Sequence, residues 1–63
     1  MKNRIKALRK EKQLRQEDLA RIMEVSRQTI VAIENDKYDP SLELAMKLSK
    51  FFEVSVNDIF YLE

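Results

Sequence analysis

The 63-residue chain has no cysteine, histidine or glycine and only one proline. Without cysteine and histidine it has no disulfide, no zinc site of the usual ligand set and neither of the commonest partners in nucleophilic catalysis. A domain of this size buries only about 60% of the surface that its unfolded chain exposes, which leaves little room for an enzyme active site. Because tight hairpin turns need positive φ, the lack of glycine favours helices. The composition therefore predicts an all-α domain with no metal and no cofactor.

Long hydrophobic runs are also missing. No apolar run approaches the roughly 18 residues of a membrane span, and the first ten residues lack the apolar stretch of a signal peptide. We therefore expect a cytoplasmic protein with no membrane partner.

The net charge of +1 conceals an uneven distribution of charge. Residues 1–27 hold nine Lys or Arg against four acids, whereas residues 28–63 hold three against seven. A basic first part of this kind indicates either a surface for a polyanion or an exposed helix that only keeps the protein in solution.

Periodicity and capping signals predict five helices in a single domain covering residues 1–63. They are expected at about residues 3–12, at about residues 16–23, from an N-cap at Ser26 to about Asn35, after Ser41, and from Ser55 onward. The last of these has a capping-box pattern, because Asp58 follows three residues after Ser55. The tail from Phe60 is expected to be either a frayed helix end or a short strand.

A helix-turn-helix is predicted at about residues 16–35. Only three residues, Glu24 to Ser26, separate the second and third helices, so these helices must cross steeply. Ala20 fits such a crossing, because closely packed helices leave room for only a small side chain at the contact.

The outer face of the third helix is a candidate base-reading surface. When Ile30 and Ile33 face the core, the helical advance turns four other side chains outward: Arg27, Gln28, Val31 and Ala32. In the DNA major groove, Arg can donate two hydrogen bonds to guanine, Gln can pair with adenine, and small apolar side chains suit a thymine methyl. The alternative is that Arg27 and Gln28 are ordinary solvated residues and that Val31 is half-buried.

An ordered set of residues gives the chain a family resemblance. The set is Gln16, Leu19, Ala20, Val25, Ser26, Ile30, Ile33, Glu34 and Asn35, followed by the segment from Tyr38 to Ala45. With these residues at matching spacing, the chain resembles the Cro/CI (Xre-like) helix-turn-helix transcriptional regulators, in a short stand-alone form. The resemblance covers essentially the whole chain. It implies a five-helix repressor-like domain that binds a palindromic operator in double-stranded DNA as a homodimer.

The resemblance also implies roles for individual residues. The base-reading positions are Arg27, Gln28, Val31 and Ala32. The positions that contact phosphates or support the contacts are Gln16, Arg9, Arg15, Thr29, Asn35, Lys37 and Tyr38. Gln16 is expected to support the base-reading glutamine as well. Arg9 matches one half of a partly buried ion pair with Glu34, and a direct phosphate contact by Arg9 remains an alternative.

Three positions depart from the family pattern. Arg15 stands where an N-capping Ser, Thr or Asn is usual, and the loss of such a cap costs about 0.5 to 2 kcal/mol. Glu24 and Asp36 stand where glycine is common and a left-handed backbone is expected, which costs a non-glycine residue roughly 1 kcal/mol. These departures concern stability more than DNA contact.

A dimer is expected because one recognition helix reads too few base pairs for useful specificity. The C-terminal part carries more apolar residues than a short helix can bury in so small a domain. Among them, Phe51, Val54 and Ile59 are expected to belong mostly to the core. The candidates for the dimer contact are Phe60, Tyr61, Leu62 and Val56.

Other functions remain as alternatives at this point. The chain could be a protein-interaction module, such as an antitoxin, or the DNA-binding piece of a longer regulator. The initial Met1 and the apolar finish favour a complete chain, and the absence of an evident activation domain favours a repressor. An enzyme is the weakest interpretation, because the sequence offers no nucleophile–base pair and no metal-ligand set.

Overall fold

The structure, a computed structural model, describes residues 1–62. Its elements are β1 (Lys2–Asn3), α1 (Ile5–Glu11), α2 (Gln16–Met23), α3 (Arg27–Glu34), α4 (Leu42–Phe52), α5 (Val56–Ile59) and β2 (Phe60–Tyr61). All five predicted helices are present, which confirms the five-helix fold. The two strands pair antiparallel, with Lys2 opposite Tyr61 and Asn3 opposite Phe60. The tail is therefore a short strand, and α1 begins later than predicted because its expected first residue pairs with that strand.

Serine side chains begin three of the helices, as the sequence predicts. The Oγ atoms of Ser26, Ser41 and Ser55 each accept a hydrogen bond from the backbone N–H three residues later, at 3.1 Å. At α5 the capping box is complete, because the Asp58 carboxylate accepts the Ser55 N–H at 3.1 Å. These hydrogen bonds, led by that from the Ser55 backbone, hold the pKa of Asp58 below its ordinary value of 3.8.

α2 begins without a capping side chain. Arg15 occupies the N-cap, and its guanidinium has no acceptor with which to satisfy the free N–H groups of the first turn. Asp18 compensates in part, because its Oδ2 accepts the Arg15 N–H at 2.9 Å and its charge lies near the positive end of the helix.

Left-handed residues end four of the helices. They are Gln13, Glu24, Asp36 and Glu53, each with φ near 60°. At every one of these ends, the next N–H reaches back to a carbonyl five residues earlier, as in a Schellman motif. The sequence predicts this conformation for Glu24 and Asp36, and the structure adds the other two. A chain without glycine thus makes four turns that glycine usually makes.

The core lies where the helices and the strand pair meet. It consists of Ile5, Leu19, Ala20, Met23, Ile30, Ile33, Leu44, Ala45, Leu48, Phe52, Ile59 and Phe60. Ala20 is 4% exposed, in agreement with a close crossing of α2 and α3. Ile22, which the sequence places in the apolar stripe of α2, is instead 44% exposed. No helix within residues 1–62 is long and apolar enough to cross a membrane.

Candidate nucleic-acid interface

α3 presents its N-terminal residues to solvent. Ile30 and Ile33 are buried, whereas Arg27 and Gln28 are exposed. The Ser26 hydroxyl fixes the helix start by accepting the Thr29 N–H, and the two hydroxyl oxygens are 2.9 Å apart. The two strongest base-reading candidates are therefore on the open face of a short helix.

Val31 and Ala32 are less accessible than these two residues. Both are half-buried on α3. For Val31 this agrees with the alternative that the sequence left open. Any contact that these two side chains make with a ligand is limited to the part of their surface outside the core.

A chain of hydrogen bonds connects α1 with the exposed face of α3. Arg9 Nε and Nη2 donate to the two Glu34 carboxylate oxygens at 2.8 and 3.1 Å. Gln16 Nε2 donates to Glu34 Oε1 at 3.2 Å, and Gln16 Oε1 accepts from Arg27 Nη2 at 3.3 Å. Four side chains from three helices thus hold one another, and the chain ends on a base-reading candidate.

Gln16 therefore supports a different residue from the one expected. The resemblance implied that it would support the base-reading glutamine, but its amide oxygen is bonded to Arg27. The physical reason is that the long Arg27 side chain reaches Gln16, the first residue of α2. Gln28 is one residue later in α3, so its side chain leaves the helix in a different direction.

Arg9 has a positioning role in the structure. It is 7% exposed, and its Nη1 donates to the Leu14 carbonyl at 2.9 Å in addition to the two bonds to Glu34. The Glu34 side chain is only 3% exposed. The structure thus shows the ion pair of Arg9 with Glu34, and a direct phosphate contact by Arg9, which can coexist with it, stays a prediction.

An open cleft of about 410 Å³ lies at the start of α2. It is lined by Arg9, Leu14, Arg15, Gln16, Glu17 and Arg27. Arg15 is highly accessible there, because its side chain is 83% exposed and its contact with Glu17 is a loose 3.6 Å. Guanidinium groups and the free N–H groups of a helix start both favour an anion, so the cleft has the chemistry of a phosphate-binding site.

A second set of candidates follows α3. Asn35 caps the helix, and Lys37 and Tyr38 follow in the turn, with Tyr38 53% exposed. Asp36, which sits between Asn35 and Lys37, holds its carboxylate against Lys2 at 3.2 Å and Asn3 at 3.3 Å. Sequence reasoning missed Lys2 and Asn3, because neither has a local sequence signal that connects it with residues more than thirty positions away.

The predicted dimer residues are divided by the structure. Phe60 is 6% exposed and belongs to the core, which leaves little of its side chain for the dimer contact expected of it. The reason is that β2 turns this side chain inward while the neighbouring Tyr61 is 45% exposed. Leu62 is 84% exposed and Val56 is half-buried. An open groove of about 480 Å³ is lined by Met1, Val56, Asn57, Phe60, Tyr61 and Leu62.

No cluster of carboxylates capable of holding a metal ion occurs within the 62 described residues. The candidate surface instead offers guanidinium, amide, hydroxyl and ammonium groups around the exposed end of a helix. Such groups bind phosphate oxygens and the edges of bases.

Comparisons with known proteins agree with this geometry. The sequence pattern of the helix-turn-helix family matches residues 5–59. An uncharacterized HTH-type transcriptional regulator of Methanocaldococcus jannaschii is 59% identical over 63 residues, covering all of this chain and 96% of that protein. The uncharacterized HTH-type transcriptional regulator YgzD of Bacillus subtilis is 46% identical, again over all of this chain and 96% of its own length. The chain therefore belongs to the Cro/CI (Xre-like) helix-turn-helix family of DNA-binding transcriptional regulators.

Proposed function

We propose that this protein is a homodimeric, sequence-specific transcriptional repressor that binds a palindromic operator in double-stranded DNA. The N-terminal half of α3 enters the major groove, where Arg27 donates to guanine and Gln28 pairs with adenine. The observation that carries this proposal is the hydrogen-bond chain that ends on the exposed Arg27, because a base-reading side chain must be held in place.

Phosphate contacts fix the position of α3 in the groove. Arg15 and Gln16 bind one phosphate in the cleft at the start of α2, while Thr29 meets the backbone beside the groove. Beyond the helix, Asn35, Lys37 and Tyr38 bind phosphates on the other side. Contacts of this kind set register and affinity but carry no sequence information. Val31 and Ala32 use their exposed surface for a thymine methyl.

A second copy of the chain occupies the groove lined by Val56, Tyr61 and Leu62. One recognition helix reads too few base pairs, so a two-fold dimer is needed to double the site. The groove suits this role because it is mostly apolar and shares no lining residue with the cleft that Arg15 lines. Bound at an operator that overlaps a promoter, the dimer represses by occupying the DNA.

The test is a selection of binding sites from random duplex DNA with the full chain. The expected product is a palindrome whose half-sites are one helical turn, about 34 to 36 Å, apart. Binding to the selected duplex should also weaken steeply as salt rises. Failure to enrich any sequence at low salt would contradict the proposal.

A protein-interaction function gives a different result. An antitoxin-like module would form a stable complex with a partner protein, with Tyr61 or Leu62 at its centre, and would show no enriched duplex. The exposed Leu42 and Met46 on α4 mark a further apolar surface that such a partner could cover. Co-purification of one stoichiometric partner, without selection of DNA, would favour this alternative.

A further inference from the structure

Asn3 joins the start of α1 to the end of α3. Its Nδ2 donates to the Ile33 carbonyl at 2.8 Å and to Asp36 Oδ1 at 3.3 Å, and its Oδ1 accepts the Ile5 N–H at 3.1 Å. Asn3 is half-buried, so water competes only partly for these hydrogen bonds. One side chain thus holds the turn after α3 from thirty residues away in sequence.

The turn that Asn3 holds is a strained one. Asp36 has φ 60°, in the left-handed region that favours glycine and that Asp tolerates better than most other residues. Within the turn, the Asp36 N–H donates to the Ile33 carbonyl at 3.0 Å and the Lys37 N–H to the Ala32 carbonyl at 2.9 Å. Asn3 adds a long-range hydrogen bond to the same Ile33 carbonyl, so the turn does not depend on local bonds alone.

The charge of Asp36 makes its placement important. A carboxylate between Asn35 and Lys37 would repel DNA phosphates if it pointed toward them. In the structure one carboxylate oxygen is bonded to Asn3 and the other lies 3.2 Å from Lys2 Nζ, so both oxygens face β1. β1 is itself fixed, because it pairs with β2 and the Arg4 N–H that follows it donates to the Ile59 carbonyl at 2.9 Å.

We propose that Asn3 is a positioning residue for DNA binding. It holds the turn after α3 so that Lys37 reaches a phosphate while Arg27 remains in the major groove, and it keeps the Asp36 carboxylate turned away from the DNA. This role rests on the proposed function, since it has a meaning for affinity only if α3 binds DNA. Asn3 itself touches no base.

The decisive variant is Asn3→Ser in the full chain. A serine hydroxyl can still accept the Ile5 N–H two residues later, but it is too short to reach the Ile33 carbonyl. The substitution changes neither the net charge nor a core side chain. It therefore removes the long-range hydrogen bonds and leaves the local one.

The first measurement is amide hydrogen exchange of the protein without DNA. In Asn3→Ser, the Asp36 and Lys37 N–H groups should exchange at least about tenfold faster, because their turn loses its external support. The internal control is the equivalent turn after α2, where the Val25 N–H donates to the Ala20 carbonyl at 2.9 Å. Its exchange should not change. Equal acceleration at both turns, or at neither, would overturn the inference.

The second measurement is the salt dependence of binding to the selected operator. Each phosphate that a cation no longer neutralises lowers the slope of log K against log salt by about 0.9 in magnitude. A dimer that loses the Lys37 contact in both copies should therefore lose about 1.8, while the preference at the positions read by Arg27 is kept. A weaker complex with an unchanged slope would mean that Asn3 acts only on stability, and would also overturn the inference.

A pair of further variants tests the charge of Asp36. Asn3→Asp keeps the local acceptor but places two carboxylates together, so it should weaken operator binding more than Asn3→Ser does. Adding Asp36→Asn to Asn3→Asp should restore part of the affinity for the operator. The side-chain amide introduced at position 36 can donate a hydrogen bond to the new carboxylate at position 3, and asparagine tolerates the left-handed backbone there. No restoration would count against the proposal. If the wild-type chain selects no DNA at all, the proposed function fails, whereas the exchange result still tests the role of Asn3 in the turn.

Discussion

At the scale of single residues, the left-handed positions show how this chain replaces glycine. Each of the four helix ends accepts a strained residue, and at three of them the next residue is apolar and half-buried: Leu14, Val25 and Val54. Burial of that apolar side chain offsets the backbone cost, as in other Schellman ends.

Glu24→Gly is predicted to leave stability unchanged or to raise it. Glycine relieves the left-handed strain of up to about 1 kcal/mol, although it gains freedom in the unfolded chain. The lost contact between Glu24 and Lys47 is long, at 3.9 Å, and the Glu24 side chain is 82% exposed, so it contributes little. A thermal melt should show a midpoint equal to the wild type or a few degrees higher. A fall of several degrees would show that the strain assigned to Glu24 is wrong.

The same positions show what the sequence could and could not predict. Glu24 and Asp36 were predictable because a family pattern marks them as glycine positions. Gln13 and Glu53 had a weaker signal, a polar residue at a helix end followed by an apolar one. That signal cannot be distinguished from the signal of an ordinary loop unless it is known that Leu14 and Val54 pack inward.

At the scale of helices, the Arg9–Glu34 pair decides how α1, α2 and α3 sit together. Both side chains are almost fully buried, and Gln16 of α2 bonds to the same carboxylate. A buried pair of this kind is costly to break but not always stabilising, because both charges had to leave water. In this protein the Arg9–Glu34 pair fixes the positions of the residues around Arg27.

Removing only one member of the pair should be much worse than removing both. Glu34→Met leaves the Arg9 charge buried and unpaired, at a cost of about 3 to 5 kcal/mol. That is comparable with the stability that a core of this size supplies. The double variant Arg9→Met/Glu34→Met should be more stable than Glu34→Met alone in urea unfolding. This expectation would be contradicted if the double variant lost as much free energy of unfolding as Arg9→Met and Glu34→Met lose together.

The helices themselves were predictable from the spacing of their apolar residues and, for three of them, from a serine cap. β1 was not, because two residues carry no periodic signal. Pairing with a tail that lies nearly sixty residues away decides its conformation. Asn3 had no place in the predicted site for a similar reason, because its bonds to Ile33 and Asp36 join residues thirty or more positions apart.

At the scale of the whole molecule, the uneven charge of the sequence is not a simple map of the binding surface. Several bases of the first 27 residues contact other groups of the protein, in its interior or at its surface. Arg9 is buried against Glu34, Lys12 lies 5.4 Å from the Phe51 ring centre, and Arg21 is 3.6 Å from Asp18. Only the fold shows which cations lie at the cleft. They are the exposed Arg15 and Arg27, together with the buried Arg9.

Leu62→Glu is predicted to weaken the dimer without unfolding the protein. Leu62 is 84% exposed, so the folded monomer tolerates the change, whereas a charge buried in the proposed contact does not. Leu42→Glu is the matched control, because Leu42 is 76% exposed on α4 and lies outside the groove. Sedimentation equilibrium should show at least a tenfold rise in the dimer dissociation constant for Leu62→Glu alone. Equal behaviour of the two variants would mean that the dimer uses another surface.

The proposed function requires that α3 reads bases while the turn after it binds phosphate. The most direct measurement compares Arg27→Ala, Gln28→Ala and Lys37→Ala on the selected operator and on its single-base variants. We predict that the first two relax the preference at one or two positions per half-site, by about 1 to 3 kcal/mol each. Lys37→Ala should weaken all sequences alike and lower the salt slope by about 0.9 for each protomer. If all three variants weakened every sequence equally, α3 would not be the base-reading element.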